Sequence, residues 1–220
     1  MKITRFAQSC LLVETRRKRI LIDPGAILFK ESYPRNEWSD IDAILVTHRH
    51  EDHCHADAIK EILKNPKTKF YSSQEVAHSH PELSLEVVKE DDRITLDNVN
   101  VEVVKAVHGW IPPFKEGKGI KENIAFIIDD GTHRAYQTSD TICFENNYTC
   151  DVIFLPVTDH GIVMGPWDAA LFAKETGAKL AIPIHYDSPK HPADFSAVKK
   201  EFEAQNLNYK FLEIGESVEL

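Results

Sequence analysis

Apolar residues along the chain fall into short runs, separated by clusters of Gly, Pro, Asp and Asn. Runs of this kind predict strands, and the turn residues between them predict hairpins. "CLLVET" and "RILID" flank the basic turn "RRK", and "DPG" breaks the second of these strands. A polar loop with Pro34 and Trp38 follows and leads into the apolar strand "DAILV". In "ADAIKEILKN" the spacing changes: Ile59, Ile62 and Leu63 share one helical face, and Pro66 stops the helix. "TKFYSS" reads as a strand and "SQEVAHSH" as a short helix.

The second half repeats both themes. "DRITLDNVNVEVVKAVHG" predicts a hairpin turning near Asp97-Asn98, and "NIAFIIDDGTHRAYQTSD" another with Asp130-Gly131 at its turn. "DVIFLPV" and "AKLAIPIH" are apolar strands. Between them "GPWDAALFAKETG" is a helix with Pro166 near its start and Gly177 past its end. "ADFSAVKKEFEAQN" predicts a last helix, and "YKFLEIGESVEL" a closing pair of strands. Hairpins come first and strand–helix alternation follows. That order predicts an α/β (α+β) chain with two packed β-sheets and helices on the outer faces, a four-layer αββα sandwich. With no low-complexity linker, residues 1–220 are expected to form one domain. The stretch "GWIPPFKEGKGIKEN", 109 to 123, is the longest without a periodic signal, and long irregular loops beside functional strands often cover a site.

Composition adds bounds. The 220 residues are 42% hydrophobic and 28% charged, as in ordinary soluble globular proteins. A formal net charge of −9 would repel a long polyanion, which argues against a general nucleic-acid binder. It leaves room for a small anionic substrate, because a metal ion reverses the local field. The opening "MKITRFAQSCLLVET" has no signal-peptide pattern, and no run reaches the roughly 20 apolar residues of a membrane span. Cys10, Cys54, Cys143 and Cys150 form no CxxC pair, which fits a reduced, cytoplasmic setting.

The chemistry concentrates in "THRHEDH". His48, His50, Asp52 and His53 lie in the loop beyond the strand that ends at Val46. Residues two apart in a loop can converge on one point, while adjacent Asp52 and His53 turn toward a second. An ion needs three or four ligands, so this loop supplies parts of two sites and completes neither. Three more metal-capable residues end strand-like runs: His108, Asp140 and His185. Together they fit two neighbouring ions, with His48, His50 and His108 on one, Asp52, His53 and His185 on the other, and Asp140 bridging. Taken alone, His108 would read as a strand-end histidine and Asp140 as a turn-former.

The order HxHxDH, His, Asp, His, with "LIDP" upstream, resembles the metallo-β-lactamase-fold hydrolases. "FAQSCLLVETRRKRILIDP" and "VTDHGIVMGPWDAALFAKETGAKLAIPIHYDSP" are similar to the opening and closing portions of the small UlaG-like and UPF0173-type metal-dependent hydrolases. The resemblance implies a dinuclear site, usually zinc, with manganese or iron in some members. It also implies that Asp23 steadies the ligand loop; the alternative is a plain turn residue in "DPG". Two places depart from the family pattern: Ser139 stands where many members have glycine, and Asp159 and His160 where a glycine-rich turn is common.

Two ions sharing a water would make a hydroxide near neutral pH, expected to attack a carbonyl carbon or a phosphorus atom. Asp52 would orient that hydroxide and take its proton. His160 follows an apolar strand: it either protonates a leaving group or contacts substrate, or it is a surface-loop histidine. Tyr186, next to His185, either donates to a substrate oxygen or packs beside the site. His78, His80, His133 and His191 read as surface residues, and helix entry turns Cys54 and His55 away. The expected activity is hydrolysis of an ester, lactone or phosphodiester bond in a small substrate. Two alternatives remain: a non-catalytic metal-binding regulatory or scaffold protein, and a processing nuclease, which the acidic charge and the lack of a basic arm disfavour.

Overall fold

The computed structural model describes residues 1–29, 38–110 and 119–220. The loop around Pro34 and the middle of the 109–123 stretch lie outside the described residues. In chain order the elements are β1 (Lys2–Arg5), β2 (Leu11–Thr15), β3 (Lys18–Ile22), α1 (Ala26–Phe29), β4 (Ala43–Leu45), α2 (Ala56–Ile62), β5 (Lys69–Ser72), α3 (Gln74–Ser79) and β6 (Glu86–Val87). There follow β7 (Arg93–Leu96), β8 (Val99–Lys105), β9 (Ile124–Asp129), β10 (Arg134–Gln137), β11 (Val152–Pro156), α4 (Pro166–Glu175), β12 (Leu180–Ile184), α5 (Phe195–Ala204) and β13 (Ser217–Glu219).

One sheet runs β13-β1-β2-β3-β4-β5-β6 and the other β12-β11-β10-β9-β8-β7. Strands β3 to β6 pair in parallel, as do β10 to β12. The remaining pairs are antiparallel. Residue alternation shows how the layers stack. In β3, Ile20 and Ile22 face the core between the sheets, while Leu21 faces a second core under α2 and α3, with Ile59, Ile62 and Val76. In β9, Phe126 and Ile128 share the central core, while Ile127 faces a third core with Phe172 of α4 and Phe202 of α5. Three cores separate four layers, the αββα sandwich. Strands covered on both faces read as unbroken apolar runs, because neither alternate set of side chains meets water. Each fully buried Ile, Leu or Phe contributes roughly 1.5–3 kcal/mol, so a charge at Phe126 or Ile127 would have no wet face to turn to.

The turns follow their residues. Arg16 and Arg17 form the two-residue β2–β3 loop with φ of 49° and 65°, the double left-handed geometry of tight hairpins. The Arg16 Nε donates to the Asp130 carbonyl in the other sheet's β9–β10 turn, 3.1 Å away. Three elements go beyond the sequence reading: β1, the short edge strand β6, and α1. One expectation is corrected. Of the closing pair of strands only β13 forms; Tyr209 makes a single bridge to Ala181. The Leu212 carbonyl instead accepts from the Arg5 guanidinium and the Tyr186 hydroxyl, so the ladder cannot continue there.

Candidate metal centre

Strands β3, β4, β8, β10 and β12 all finish at one edge of the sandwich, and each delivers a polar residue just beyond its end: Asp23, the 46–55 loop, His108, Asp140 and His185. After β4 the chain makes a helical turn in which the His53 and Cys54 amides both donate to the His50 carbonyl, at 2.9 and 2.8 Å. The "DPG" turn braces this loop from below: the His55 amide donates to the Pro24 carbonyl, and the Ala26 amide to the Glu51 carbonyl. Gly25 is required there. A Cβ at that position would stand 1.7 Å from the Asp52 carbonyl oxygen. Asp23, Ser139 and His185 hold left-handed φ values of 47°, 65° and 62°. Backbone strain of this kind gathers at functional sites. Ser139, in the place where glycine is common, is held by a 2.7 Å hydrogen bond from its hydroxyl to Asn123.

Two groups of ligand atoms result. His48, His50, His108 and Asp140 form one, and Asp52, His53 and His185 the other, with the atoms of each group within 4.8 Å of one another. Asp140 also touches the second group: Oδ1 is 3.3 Å from His53 Nε2, and Oδ2 is 3.1 Å from His185 Nε2. It lies between the two groups.

Hydrogen bonds behind the cluster set the tautomers. Buried Asp23 accepts from the Thr47 amide (2.8 Å), the Thr47 hydroxyl (2.9 Å), His53 Nδ1 (2.9 Å) and Gln137 Nε2 (3.2 Å). Because the Thr47 hydroxyl donates to Asp23, it accepts from His48 Nδ1, 3.0 Å away. His108 Nδ1 donates to the Gly109 carbonyl at 2.8 Å. His48, His53 and His108 thus spend Nδ1–H behind the site and turn Nε2 toward it, the orientation that a metal-ligating imidazole needs.

The donors fit a cation. His53 Nε2, His185 Nε2 and Asp140 Oδ1 are buried and close together, yet none is aligned as a hydrogen bond. His48 Nε2 and His50 Nδ1 face each other at 3.1 Å. A proton on His50 Nδ1 would bridge the two as an N–H···N hydrogen bond, and a cation that displaces this proton would find both nitrogens turned toward it. The titration of the cluster says the same. Burial opposes charge on His53, but Asp140 and Asp23 outweigh it and hold the ring well above the usual histidine range. His185, against the same burial, is pushed up to about 9 by Asp140 and Asp52. Asp140 and Asp52 are held below the carboxylate range by the neighbouring histidines, again despite burial. Burial lowers His48 and His108 and raises Asp23. The carboxylates call for positive charge at this point, and a metal ion can supply it in exchange for protons.

A cavity of about 300 Å³ opens over Asp52, Asp140 and His185, walled by Gln8, Arg49, His160, Ile162, Ser188 and His191. A larger one, about 740 Å³, runs between the β6 and β8 edges and meets the cluster only at His108. The smaller cavity holds the reactive groups of both sets. His160 does reach this wall, with its ring 5.7 Å from His185 and 4.4 Å from His191. Burial and those two rings push it down to about 4.

Tyr186 is a correction. Its hydroxyl donates to the Leu212 carbonyl at 2.9 Å, its ring packs on Arg5 and Phe195, and burial pushes it up to about 12. The chain leaves β12 at Ile184 and turns at His185, whose φ is 62°, and this turn carries Tyr186 toward Arg5 and Leu212, away from the ligand cluster. His191 is exposed, as expected, yet its ring forms the cavity rim. His55 turns away to cap α2, accepting from the Ala58 amide. Cys54 is buried, which pushes its thiol up to about 12 and makes it inert. Gln8 and Arg49 were not singled out from sequence. Arg49 had a signal, being enclosed in the histidine motif, and Gln8 had only the polar break "AQS" between two strands.

Residues 2–185 match a family model described as a beta-lactamase superfamily domain. Over the full length of both chains, the sequence is 31% identical to a UPF0173 metal-dependent hydrolase of Bacillus thuringiensis (strain Al Hakam). Among solved structures it is similar to Igni18, a metallo hydrolase from the archaeon Ignicoccus hospitalis, with a TM-score of 0.80 and 25% identity, covering 99% of this chain and 97% of that one. An isothiocyanate hydrolase from Delia radicum gut bacteria shares the fold at a TM-score of 0.78 and 17% identity, covering 100% and 99%.

Proposed function

The chain belongs to the β-lactamase superfamily and, within it, to the UPF0173 metal-dependent hydrolases, and on that footing we propose that it hydrolyses an ester, lactone or phosphodiester bond of a small substrate with two divalent ions. The position of Asp140 between two groups of ligand atoms carries the reading. His48, His50 and His108 would hold one ion, Asp52, His53 and His185 the other, and Asp140 both. Five imidazoles against two carboxylates favour zinc over the oxygen-preferring manganese, with iron between them. Ions bound there supply Lewis acidity and a nucleophile at neutral pH.

The protein's own groups do the rest. Asp52 faces the cavity, orients the attacking water and accepts its proton. His160, held neutral in the wall, hydrogen-bonds the substrate or its leaving group. Asp23 keeps His53 in the ligating tautomer. All four cysteines are free thiols, which suits a reducing cytoplasm, and among the described residues no helix is long and apolar enough to cross a membrane.

The test is turnover of zinc-loaded protein on paired chromogenic phosphodiester and lactone substrates. One of the two should be clearly preferred, and a folded Asp52→Ala protein should lose at least about a hundredfold, the scale of general-base catalysis. Wild-type turnover in that variant would remove Asp52 from the mechanism. Silence on both substrates, with the metal content confirmed, would count against the lactone and phosphodiester readings and mean a narrow substrate pocket or a binding role.

A further inference from the structure

The β1–β2 turn places Gln8, 1% exposed and with φ of 59°, at the floor of the cavity. Its backbone is sewn to the segment that carries His185. The His185 amide donates to the Gln8 carbonyl at 3.1 Å, and the Gln8 amide donates to Asp187 Oδ2 at 2.6 Å. Asp187 is itself held by the buried Arg5. The side chain is oriented without ambiguity. Gln8 Oε1 meets the backbone amides of Asp187 and Ser188 at 3.0 and 3.1 Å, and only an oxygen can accept from both. Nε2 must therefore be the atom that faces the site, where it donates to Asp52 Oδ2 across 3.4 Å.

We propose that Gln8 is the positioning residue for Asp52: its amide, fixed by two backbone donors, holds the Asp52 carboxylate in its ligand orientation. This rests on the reading of Asp52 as a metal ligand. It explains why a neutral amide, with no chemistry of its own, is buried in a strained backbone conformation beside seven metal-capable side chains. Asp23 braces His53 from one side of the loop, and Gln8 braces Asp52 from the other.

A double-mutant cycle on zinc affinity tests it, read by competition with a chromophoric chelator and requiring no substrate. Gln8→Met should weaken zinc binding about 10–100-fold, the usual cost of losing a ligand's supporting hydrogen bond. In an Asp52→Ala background the same substitution should cost at least about fivefold less, the remainder being what the lost Asp187 and Ser188 amide contacts cost the His185 segment. An equal loss in both backgrounds would mean that Gln8 only tethers the His185 segment. Either that or no loss at all overturns the proposal. Should Gln8→Met fail to fold, the side-chain amide of Gln8 can be followed by NMR in proteins that keep it. Asp52→Ala should shift that resonance, and an unmoved resonance counts against the contact. Affinity is measured apart from turnover, so an inactive but zinc-binding protein would count against the lactone and phosphodiester readings and leave this one intact.

Discussion

Replacing Asp23 by Asn changes one buried oxygen to an NH2 group and nothing else in shape. In the wild type, Oδ1 accepts from the Thr47 amide, while Oδ2 accepts from the Thr47 hydroxyl, His53 Nδ1 and Gln137 Nε2. An asparagine has one acceptor oxygen for these two places. If the oxygen stays on the Thr47 amide, the NH2 meets the donor atoms of His53 and Gln137. If it flips, the NH2 meets the Thr47 amide instead. At least one buried donor is left without a partner either way, at a cost of about 1–3 kcal/mol. For a chain of this size that is a fall of roughly 2–12 °C in the melting midpoint. Burial raises the Asp23 pKa, so removing the charge offsets part of this loss, and affinity is the sharper readout. To satisfy the new NH2, His53 moves its proton to Nε2, the atom that faces Asp140. Zinc affinity should then drop about 10–100-fold. Chelator competition on folded Asp23→Asn protein measures it. Unchanged affinity would refute the claim that Asp23 selects the ligating tautomer of His53.

Two further outcomes follow from the same geometry. His185 is raised from 6.5 to about 9, so in metal-free protein its contribution to stability is full below about pH 6.5 and is lost as pH climbs through about 9. Urea unfolding with a chelator present should show stability declining across that window, whereas zinc affinity should rise with pH and zinc loading should release protons; metal-free stability that increases over the same range would contradict the assignment. Gly25→Ala forces the "DPG" turn and the ligand loop apart, since the new Cβ would stand 1.7 Å from the Asp52 carbonyl oxygen. It should cost about 1–3 kcal/mol, with a matching loss of zinc affinity, and a wild-type melting curve would show that the two loops do not depend on this contact.

How much of this was legible in the sequence differs by element, for physical reasons. The two-sided burial of β9, β11 and the last three residues of β3 makes them continuous apolar runs, easy to see as strands but silent about which face meets which layer. β1 is hidden by its own charges: Lys2 and Arg5 bracket two residues, and Arg5 can be buried because Asp187, Tyr186 and the Leu212 carbonyl, all far along the chain, receive it. β6 is two exposed residues that exist through parallel pairing with Tyr71 and Ser72, which leaves no local pattern. The closing segment looked like two strands because its apolar residues alternate, but its carbonyl at Leu212 is claimed by side chains from β1 and from the segment after β12.

The candidate site was legible where function imposes an unusual residue. A histidine or aspartate just after an apolar strand is conspicuous, and the seven expected ligand residues and Asp23 are all marked by their strand-relative positions or by the motif. His108 and Asp140 are ambiguous alone, as a strand-end histidine and a turn-former, and draw their meaning from the others. Gln8 was illegible because an amide in a turn is commonplace, and its partners lie 44 and 179 residues away. Tyr186 misleads for the opposite reason, since nearness in sequence is the wrong guide where the backbone turns, as it does at His185.

The charge of the chain and the charge of its site must be separated to see what substrate it can take. The net −9 is summed over the whole chain, and three of those charges are Asp23, Asp52 and Asp140 of the site, so the rest of the protein carries −6. At the proposed centre, two divalent ions would bring four positive charges against Asp52, Asp140 and buried Asp23, while the five imidazoles remain neutral. With the Arg49 guanidinium of the wall, the balance would be two positive charges in a cavity of about 300 Å³, walled partly by low-dielectric protein. Asp23 is what sets this balance without consuming a coordination position: it is buried behind the ligands, where it neutralises charge through His53 and leaves the cavity face open. With the proposed ions bound, a small anion would be drawn to them by a field that acts at short range, while the acidic exterior would repel polyanions too long to fit inside the cavity.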